Sequence, residues 1–256
     1  MTGSHLRKIT LLLVDATAAL RSKILSGTFD VGKKLREVTV AEELDVSRTI
    51  ARLAMSTLEH EGLLVREPNR GSWIRLFSIE EIADAIEVRG ELEAMAARKV
   101  AEHGLSDESI RTFQAIIDDS DTLLKAGVRS AADQSTWREL NVSYHATLIS
   151  ASQSRALPNS IEQISHLPLV STSAIVFDKT DDALGQHQLE DAFADHVEIF
   201  DAMKARQGMR AADRMREHAY KNAQNKRRNL ADPKAMKAAR ALPGGALIAQ
   251  SNHTET

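Results

Sequence analysis

Residues 41–76 read AEELDVSRTIARLAMSTLEHEGLLVREPNRGSWIRL. Apolar residues at helical spacing predict two short helices, over residues 40–44 and 47–60, and Gly62 ends the second. After Gly62 the pattern changes to that of a β-hairpin over residues 63–76. A helix, a tight turn, a second helix and a hairpin form a winged helix-turn-helix. This arrangement suits DNA, because the N-terminus of a helix can enter the major groove.

Helical periodicity continues on both sides of this stretch. One amphipathic helix precedes it and ends near Gly27. Helices are also predicted downstream, over residues 78–103, 106–125, 136–151, 188–206 and 209–229, with a polar connection at 127–135 and an irregular stretch at 166–187. The sequence therefore predicts a mainly α protein. We expect a winged helix-turn-helix with its small β-hairpin in residues 1–77, an all-α helical bundle in residues 78–230 and a mobile tail in residues 231–256.

The composition excludes several classes of protein. Of the 256 residues, 43% are apolar and 27% are charged, which excludes disordered, collagenous and fibrous chains. Since the chain has no cysteine, disulfides, thiolate metal sites and cysteine nucleophiles are excluded as well. The apolar run at residues 9–14 is too short to span a membrane. We therefore expect a soluble cytoplasmic protein that does not enter a membrane.

Charge is distributed unevenly along the chain. Residues 1–77 have a net charge of +3, residues 78–220 of −11 and residues 221–256 of +5. A modestly basic head on an acidic body indicates that the two parts meet different partners, and nucleic acid is a candidate for the head.

The start of the second short helix offers groups that could contact DNA. Arg48 and Arg52 are four residues apart and share one face, and an Arg side chain can form a bidentate contact with guanine or phosphate. Arg70 and Gly71 lie at the tip of the hairpin, where Gly permits a close approach to a groove and Arg suits a narrow minor groove. The alternative is a solvated helix face and a plain turn, and spacing alone does not decide between the two.

Four blocks together resemble the DNA-binding domain of GntR-family transcription regulators. They are Leu35-Arg36-Glu37, AEELDVSRT at residues 41–49, LEHEGLL at residues 58–64 and Asn69-Arg70-Gly71. The resemblance implies DNA contacts from Ser47, Arg48, Thr49, Arg52, Arg70 and Gly71. Three positions depart from the family: Ile50 stands where Pro is usual, Leu53 replaces Glu, and Val38 replaces an Arg of the preceding helix. Arg36 is the candidate substitute for that Arg.

Polar side chains interrupt the apolar faces of three later helices. Asn141 and His145 are one helical turn apart and share a face with Trp137, and His196 lies within a stripe of apolar residues. His218 is a weaker case. A buried polar group needs a partner, so these residues are either satisfied core side chains or the ligands of a metal site inside a helical bundle.

The second half resembles the effector-binding FCD domain of the FadR subfamily of GntR regulators. The match is carried by AIEVRGELEAMAAR at residues 85–98 and by the motifs around the histidines just described. In that domain an Asp or Asn and three His commonly hold a divalent metal, which implies Asn141, His145, His196 and His218 as ligands. Many members have Asp where this chain has Asn141. Imidazole-rich ligation favours Zn or Ni over Mg or Ca.

Two charged residues lie inside an apolar stripe of the long helix at residues 78–103. Arg89 and Glu93 are four residues apart. They either form an ion pair or bridge between helices, or they belong to the effector-binding site, where Arg89 would line a cavity and attract an acid.

The combined interpretation is a ligand-responsive transcription regulator, most simply a repressor of catabolic genes. A homodimer would bind operator DNA at an inverted repeat, and a small carboxylic acid would release it. The region over residues 86–98 together with the head is similar to vanillate-type regulators of this subfamily, which favours an aromatic acid. The alternatives are a metal-responsive sensor and a His-ligated metalloenzyme, for which Glu93 is the candidate general base.

Overall fold

A computed structural model describes residues 2–68, 70–175 and 182–249, without the side chains of residues 2–6, 8, 9, 182 and 183. The chain divides into two compact units. One takes the chain up to Ser78 and resumes at Arg240, and the other comprises Ile79–Ala239.

The N-terminal unit is a winged helix-turn-helix, as the sequence predicts. Its elements are α1 (Thr2–Leu25), β1 (Lys34–Leu35), α2 (Glu37–Leu44), α3 (Arg48–His60), β2 (Leu64–Glu67) and β3 (Gly71–Ile74). The predicted hairpin is the antiparallel pair of β2 and β3. The two-residue strand β1 was not predicted; it pairs antiparallel with β3, so the sheet has the order β1-β3-β2. A strand this short is set by its partner, because two residues carry no periodic signal.

Local chemistry fixes the turn between α2 and α3. Asp45 ends α2 in the left-handed conformation, with φ of 50°. The side chain of Ser47 then caps α3 by accepting a hydrogen bond from the backbone nitrogen of Ile50 at 3.3 Å. The exposed N-terminus of α3 is thereby held in a defined direction.

The C-terminal unit is all-α. It consists of α4 (Ile79–His103), α5 (Asp107–Ala126), α6 (Ala131–Ala151), α7 (Leu157–Ser165), α8 (Asp182–Lys204), α9 (Gly208–Ala231) and α10 (Pro233–Ala239). Phe113, Tyr144 and Phe200 are buried at the centre of its core. Helix α6 begins five residues before the predicted start, because Ser130 and Asp133 form a capping box inside the predicted polar connection. Helices α7 and α10 were not predicted, and α8 starts before residue 188.

The end of the described chain differs from the mobile tail predicted for residues 231–256. After α10, Leu247 and Ile248 are buried in the N-terminal unit. The backbone nitrogen of Phe77 donates to the carbonyl of Leu247, and that of Ala249 donates to the carbonyl of Phe77, each at 2.9 Å. Of the Pro and Gly residues that suggested mobility, Pro233 begins α10, Pro243 and Gly244 form a turn, and Gly245 begins a short 3-10 helix. Residues 250–256 lie outside the described residues.

A close approach of α4 and α9 organises the C-terminal unit. Gly90 of α4 faces Ala219 of α9, and a Cβ atom at position 90 would collide with the Cβ of Ala219. The contact is flanked by an ion pair between Glu91 and Arg216 at 3.0 Å. Arg89 and His218 directly precede Gly90 and Ala219 in the chain. The close approach of the two helices therefore also sets the distance between Arg89 and His218, two residues that the sequence analysis singled out.

We expect Gly90→Ala to lower the free energy of unfolding by about 1–3 kcal/mol, the usual cost of overpacking. The loss should appear although Ala favours helix over Gly by about 1 kcal/mol. Urea denaturation measures it. The double variant Gly90→Ala/Ala219→Gly restores the space and should recover most of the loss. Equal destabilisation in the single and double variants would contradict a steric cause.

Candidate functional site

Three histidines from three helices meet inside the C-terminal unit. His145 of α6, His196 of α8 and His218 of α9 are all buried, and one ring nitrogen of each lies within 4.8 Å of the others. The ring of His196 stacks on that of Tyr144 at a centroid distance of 4.0 Å, and the hydroxyl of Tyr144 donates to the carbonyl of His196 at 2.8 Å. The sequence predicted these three histidines as neighbours, and the structure brings them together.

The free nitrogens of this histidine cluster fit a metal ion. The Nε2 atoms of His145, His196 and His218 are buried and have no hydrogen-bond partner among the described residues. An orphaned polar atom inside a protein is costly, and three in one place are unusual. Three imidazole nitrogens within 4.8 Å of one another are the donor set that Zn and other imidazole-binding ions use.

Two carboxylates stand behind the cluster. Nδ1 of His218 lies 3.4 Å from Oδ2 of Asp195, and Nδ1 of His145 lies 3.0 Å from Oε1 of Glu93 without the alignment of a full hydrogen bond. A carboxylate beside Nδ1 favours the tautomer that leaves Nε2 free for a ligand. Asp195 was missed by the sequence analysis, although it directly precedes His196 in the chain.

Burial and charge set the protonation of these groups. Burial lowers the pKa of His145 and, more strongly, that of His196, so both imidazoles are neutral at pH 7. Burial alone would raise the pKa of Glu93, but His145 and Arg89 outweigh it and lower that pKa to about 2. The site therefore combines the neutral imidazoles of His145 and His196 with an ionised carboxylate. Although Asn141 is neutral, Glu93 and Asp195 supply negative charge behind the histidines.

Asn141 lies one turn before His145 on α6. Its amide nitrogen donates to the carbonyl of Thr172 at 2.8 Å, so its oxygen is the atom left for a ligand. Asn141 and His218 both line a cavity of about 410 Å³. That volume is in the range of small-molecule sites.

Of the two residues predicted to bind the effector, Arg89 lines the cavity and Glu93 does not. Arg89 is 1% exposed, and its Nη1 donates to the carbonyl of Val170. Glu93 lies between Arg89 and His145, with Oε1 at 3.6 Å from Nε of Arg89. A second buried cation, Lys226, lines the cavity and was not predicted; its Nζ donates to the carbonyl of Ala174. Apolar walls are formed by Ile86, Trp137, Leu169, Ile175 and Leu189.

The N-terminal unit carries a separate groove of positive charge. It is lined by Lys34, Arg36, Arg48, Arg52, Arg66 and Gly71, together with Glu37 and Glu59. Arg48, Thr49 and Arg52 are exposed on the first turns of α3, and Arg36 is exposed at the start of α2. The sequence analysis missed Lys34 and Arg66. The structure brings them to the groove because β1 and β2 lie on either side of β3.

The hairpin tip is partly described. Arg70 is exposed and pairs with Glu67 at 2.8 Å, and Gly71 has φ of 115°, which favours Gly. A Cβ atom at Gly71 would also collide with the side chain of Lys34. Asn69 lies outside the described residues. Among the helices described, none is long and apolar enough to cross a membrane.

Two family patterns match the chain. Residues 13–74 match the bacterial regulatory proteins of the gntR family, and residues 84–221 match the FCD domain. Together they cover the winged helix-turn-helix and the bundle that holds the histidine cluster.

Named relatives are transcription regulators. An uncharacterized HTH-type regulator of Bacillus subtilis, YdhC, is 25% identical over 72% of this chain and 77% of its own length. A probable D-xylose utilization operon repressor of Paenarthrobacter nicotinovorans is 27% identical over 72% and 74%. Among solved structures, E. coli McbR/YncC is similar in fold, with a TM-score of 0.56 and 18% identity over 84% of this chain and 96% of that one.

Proposed function

Because this chain belongs to the GntR family of DNA-binding transcription regulators and carries an FCD domain, we propose that it is a repressor released from operator DNA by a small carboxylic acid. The observation that carries the proposal is the cavity of the C-terminal unit, which is lined by the buried cations Arg89 and Lys226 together with Asn141 and His218. An organic anion is the ligand class that such a space suits.

We assign the histidine cluster to a divalent metal, Zn or Ni. The ion would be held through the Nε2 atoms of His145, His196 and His218. The side-chain oxygen of Asn141, on α6, is available as a fourth ligand atom. When bound, the ion supplies positive charge that attracts a carboxylate. Glu93 and Asp195 orient the imidazoles and balance part of that charge, so the ligand has less charge left to neutralise.

The acid would lie in the cavity between these ligands and the apolar walls. Arg89 offers a buried guanidinium that can bind a carboxylate in bidentate geometry. Trp137 and Leu189 form part of the walls, which accommodate an aromatic ring. An aromatic acid is accordingly the proposed effector.

Regulation would work through a homodimer in the cytoplasm. Two winged helix-turn-helix heads related by two-fold symmetry read an inverted repeat. The acid weakens operator binding only if it binds one arrangement of the heads more tightly than the other. Control of catabolic genes fits a small acid as the signal.

The metal-responsive sensor is the second candidate, favoured by the buried cluster itself. In that case metal alone would change operator affinity. The metalloenzyme alternative is wrong: the matched family and the named relatives are transcription regulators. Glu93 is buried against His145 and does not line the cavity, which leaves it badly placed for a general base.

Gel retardation separates the two candidates. We expect an aromatic acid to weaken operator binding by metal-loaded protein about 5–150-fold, the usual range of allosteric coupling. Chelated protein should bind operator but respond little to the acid. An operator affinity that follows the metal and ignores every acid would instead establish the sensor.

Asn141→Asp tests the role of the amide. The new carboxylate should tighten metal binding about tenfold, equivalent to about 1.4 kcal/mol, and weaken the acid by a similar factor, because it takes up charge that the acid would balance. Calorimetry measures both. Gln224→Glu adds the same charge elsewhere on the cavity wall and is the control. Tighter acid binding by Asn141→Asp would contradict this account of the amide.

A further inference from the structure

The cavity of the C-terminal unit holds more positive charge than one carboxylate at the histidine cluster can balance. Arg89 and Lys226 are 1% and 5% exposed. The described hydrogen bonds of both cations go to neutral backbone carbonyls, those of Val170 and Ala174. Of the two, only Arg89 has a described carboxylate within 4 Å, that of Glu93, which also faces His145.

Lys226 is the more exceptional of the two. Within the described part of the chain no carboxylate forms an ion pair with it, whereas the neighbouring cavity residue Lys221 is paired with Asp195 at 2.7 Å. Burial and the charge of Arg89 lower the pKa of Lys226 to about 7. A buried ammonium without a counter-ion destabilises a fold, so the retention of Lys226 points to an anion that the described residues do not supply.

Lys226 is also displaced from the histidine cluster. It follows His218 by eight residues on α9, which corresponds to about 12 Å along the helix axis. Asn141 and His218 therefore mark one part of the cavity, and Lys226 another. One carboxylate group cannot contact an ion at the cluster and also neutralise Lys226.

We propose that the effector is an organic dianion, whose second anionic group is bound by Lys226 together with Arg89. This inference rests on the proposed function, because it places the ligand in the same cavity. The apolar walls, which include Ile86 and Trp137, cover the carbon skeleton between the two groups. The ligand class is accordingly a dicarboxylate with an apolar or aromatic core, rather than a simple monocarboxylic acid.

Matched acids test the proposal by calorimetry on metal-loaded protein. Benzoate and terephthalate share a ring and differ by one carboxylate, and butanoate and succinate form an aliphatic pair. We expect at least one dianion to bind about tenfold or more tightly than its monoanion, and Lys226→Met to remove that preference while leaving the monoanion unaffected. Arg228→Met is the control, because Arg228 lines the same cavity but is exposed.

The outcomes distinguish the two levels of inference. Monoanions that bind in a metal-dependent way, with no gain from a second carboxylate, overturn the dianion but leave the proposed function standing. An unchanged preference in Lys226→Met also overturns the role of Lys226. If no acid binds to the metal-loaded protein, wild type or Lys226→Met, the proposed function fails and the dianion proposal fails with it.

A measurement without any ligand provides a second test. If Lys226 is reserved for an anion, Lys226→Met should raise the urea midpoint of ligand-free protein at pH 6, where the ammonium is charged. If its bond to the carbonyl of Ala174 is what the fold needs, the midpoint should fall. A fall would assign Lys226 to holding the segment around Ala174 and would overturn the proposal.

Discussion

His196→Ala is expected to lower the affinity for Zn and Ni at least about 100-fold, beyond the 10–100-fold typical of outer-layer changes. The substitution removes one of three converging Nε2 atoms and leaves a space that water fills. Competition with a chelator of known affinity measures the change. Because the ring of His196 also stacks on Tyr144 at 4.0 Å, the melting temperature of metal-free protein should be recorded alongside.

Two further variants separate ligation from general damage. Asp195→Asn keeps the shape of the side chain that contacts His218, and should weaken the metal about 10–100-fold by removing charge behind the imidazole. His103→Ala changes an exposed histidine at the end of α4 and should leave the affinity unchanged. Equal affinities in wild type and His196→Ala would show that the cluster does not hold the metal.

The histidine cluster as a set was implied by the resemblance to the FCD domain, and helical periodicity predicted that two of its members face inward. His145 and His196 interrupt apolar stripes, so their burial could be inferred from spacing alone. The carboxylates that contact these histidines from behind could not be inferred in this way. Asp195 lies next to His196 in the chain, yet its carboxylate contacts His218 on another helix. In the same way, the carboxylate of Glu93 on α4 contacts His145 on α6. Those pairings depend on how the helices pack, about which the periodicity of one helix contains no information.

Lys226 illustrates the opposite failure. It lies in KNAQNKRRN, residues 221–229, a polar run that looks like a solvated helix face. In the structure Lys226 is buried, and its Nζ donates to the carbonyl of Ala174. A sequence pattern reports the average polarity of a helix face, whereas a ligand cavity is built from the exceptions to it.

The positive groove of the N-terminal unit shows the same limit in strands. Arg48 and Arg52 were found from helix spacing, but Lys34 and Arg66 depend on strand register. Lys34 pairs with Trp73, and Arg66 pairs with Ser72, so both lie beside the middle of β3. The pairing between β1 and β3 joins residues that are about forty positions apart in the sequence. The two residues of β1 are too few to produce a pattern from which this pairing could be predicted.

Operator binding is expected to fall about 10³-fold or more between 50 and 200 mM salt, the loss seen when six or more phosphates are neutralised. The groove residues Lys34, Arg36, Arg48, Arg52 and Arg66, with Arg70 at the hairpin tip, offer that many cations in each head. Fluorescence anisotropy over a salt series measures the slope. A shallow slope would show that the groove does not track the phosphate backbone.

Single substitutions should then separate residues that recognise bases of the operator from residues that contact only the phosphate backbone. Arg48 leads the exposed N-terminus of α3, so Arg48→Ala should cost about 1–3 kcal/mol per contact on the operator and much less on random DNA. Arg66 lies on β2, so Arg66→Ala should weaken both DNAs alike and reduce the salt slope by about one per head. Arg98→Ala, on the C-terminal unit, is the matched control and should change neither. Wild-type affinity in both Arg48→Ala and Arg52→Ala would mean that α3 does not enter the major groove, and the head would then have to meet DNA through the sheet.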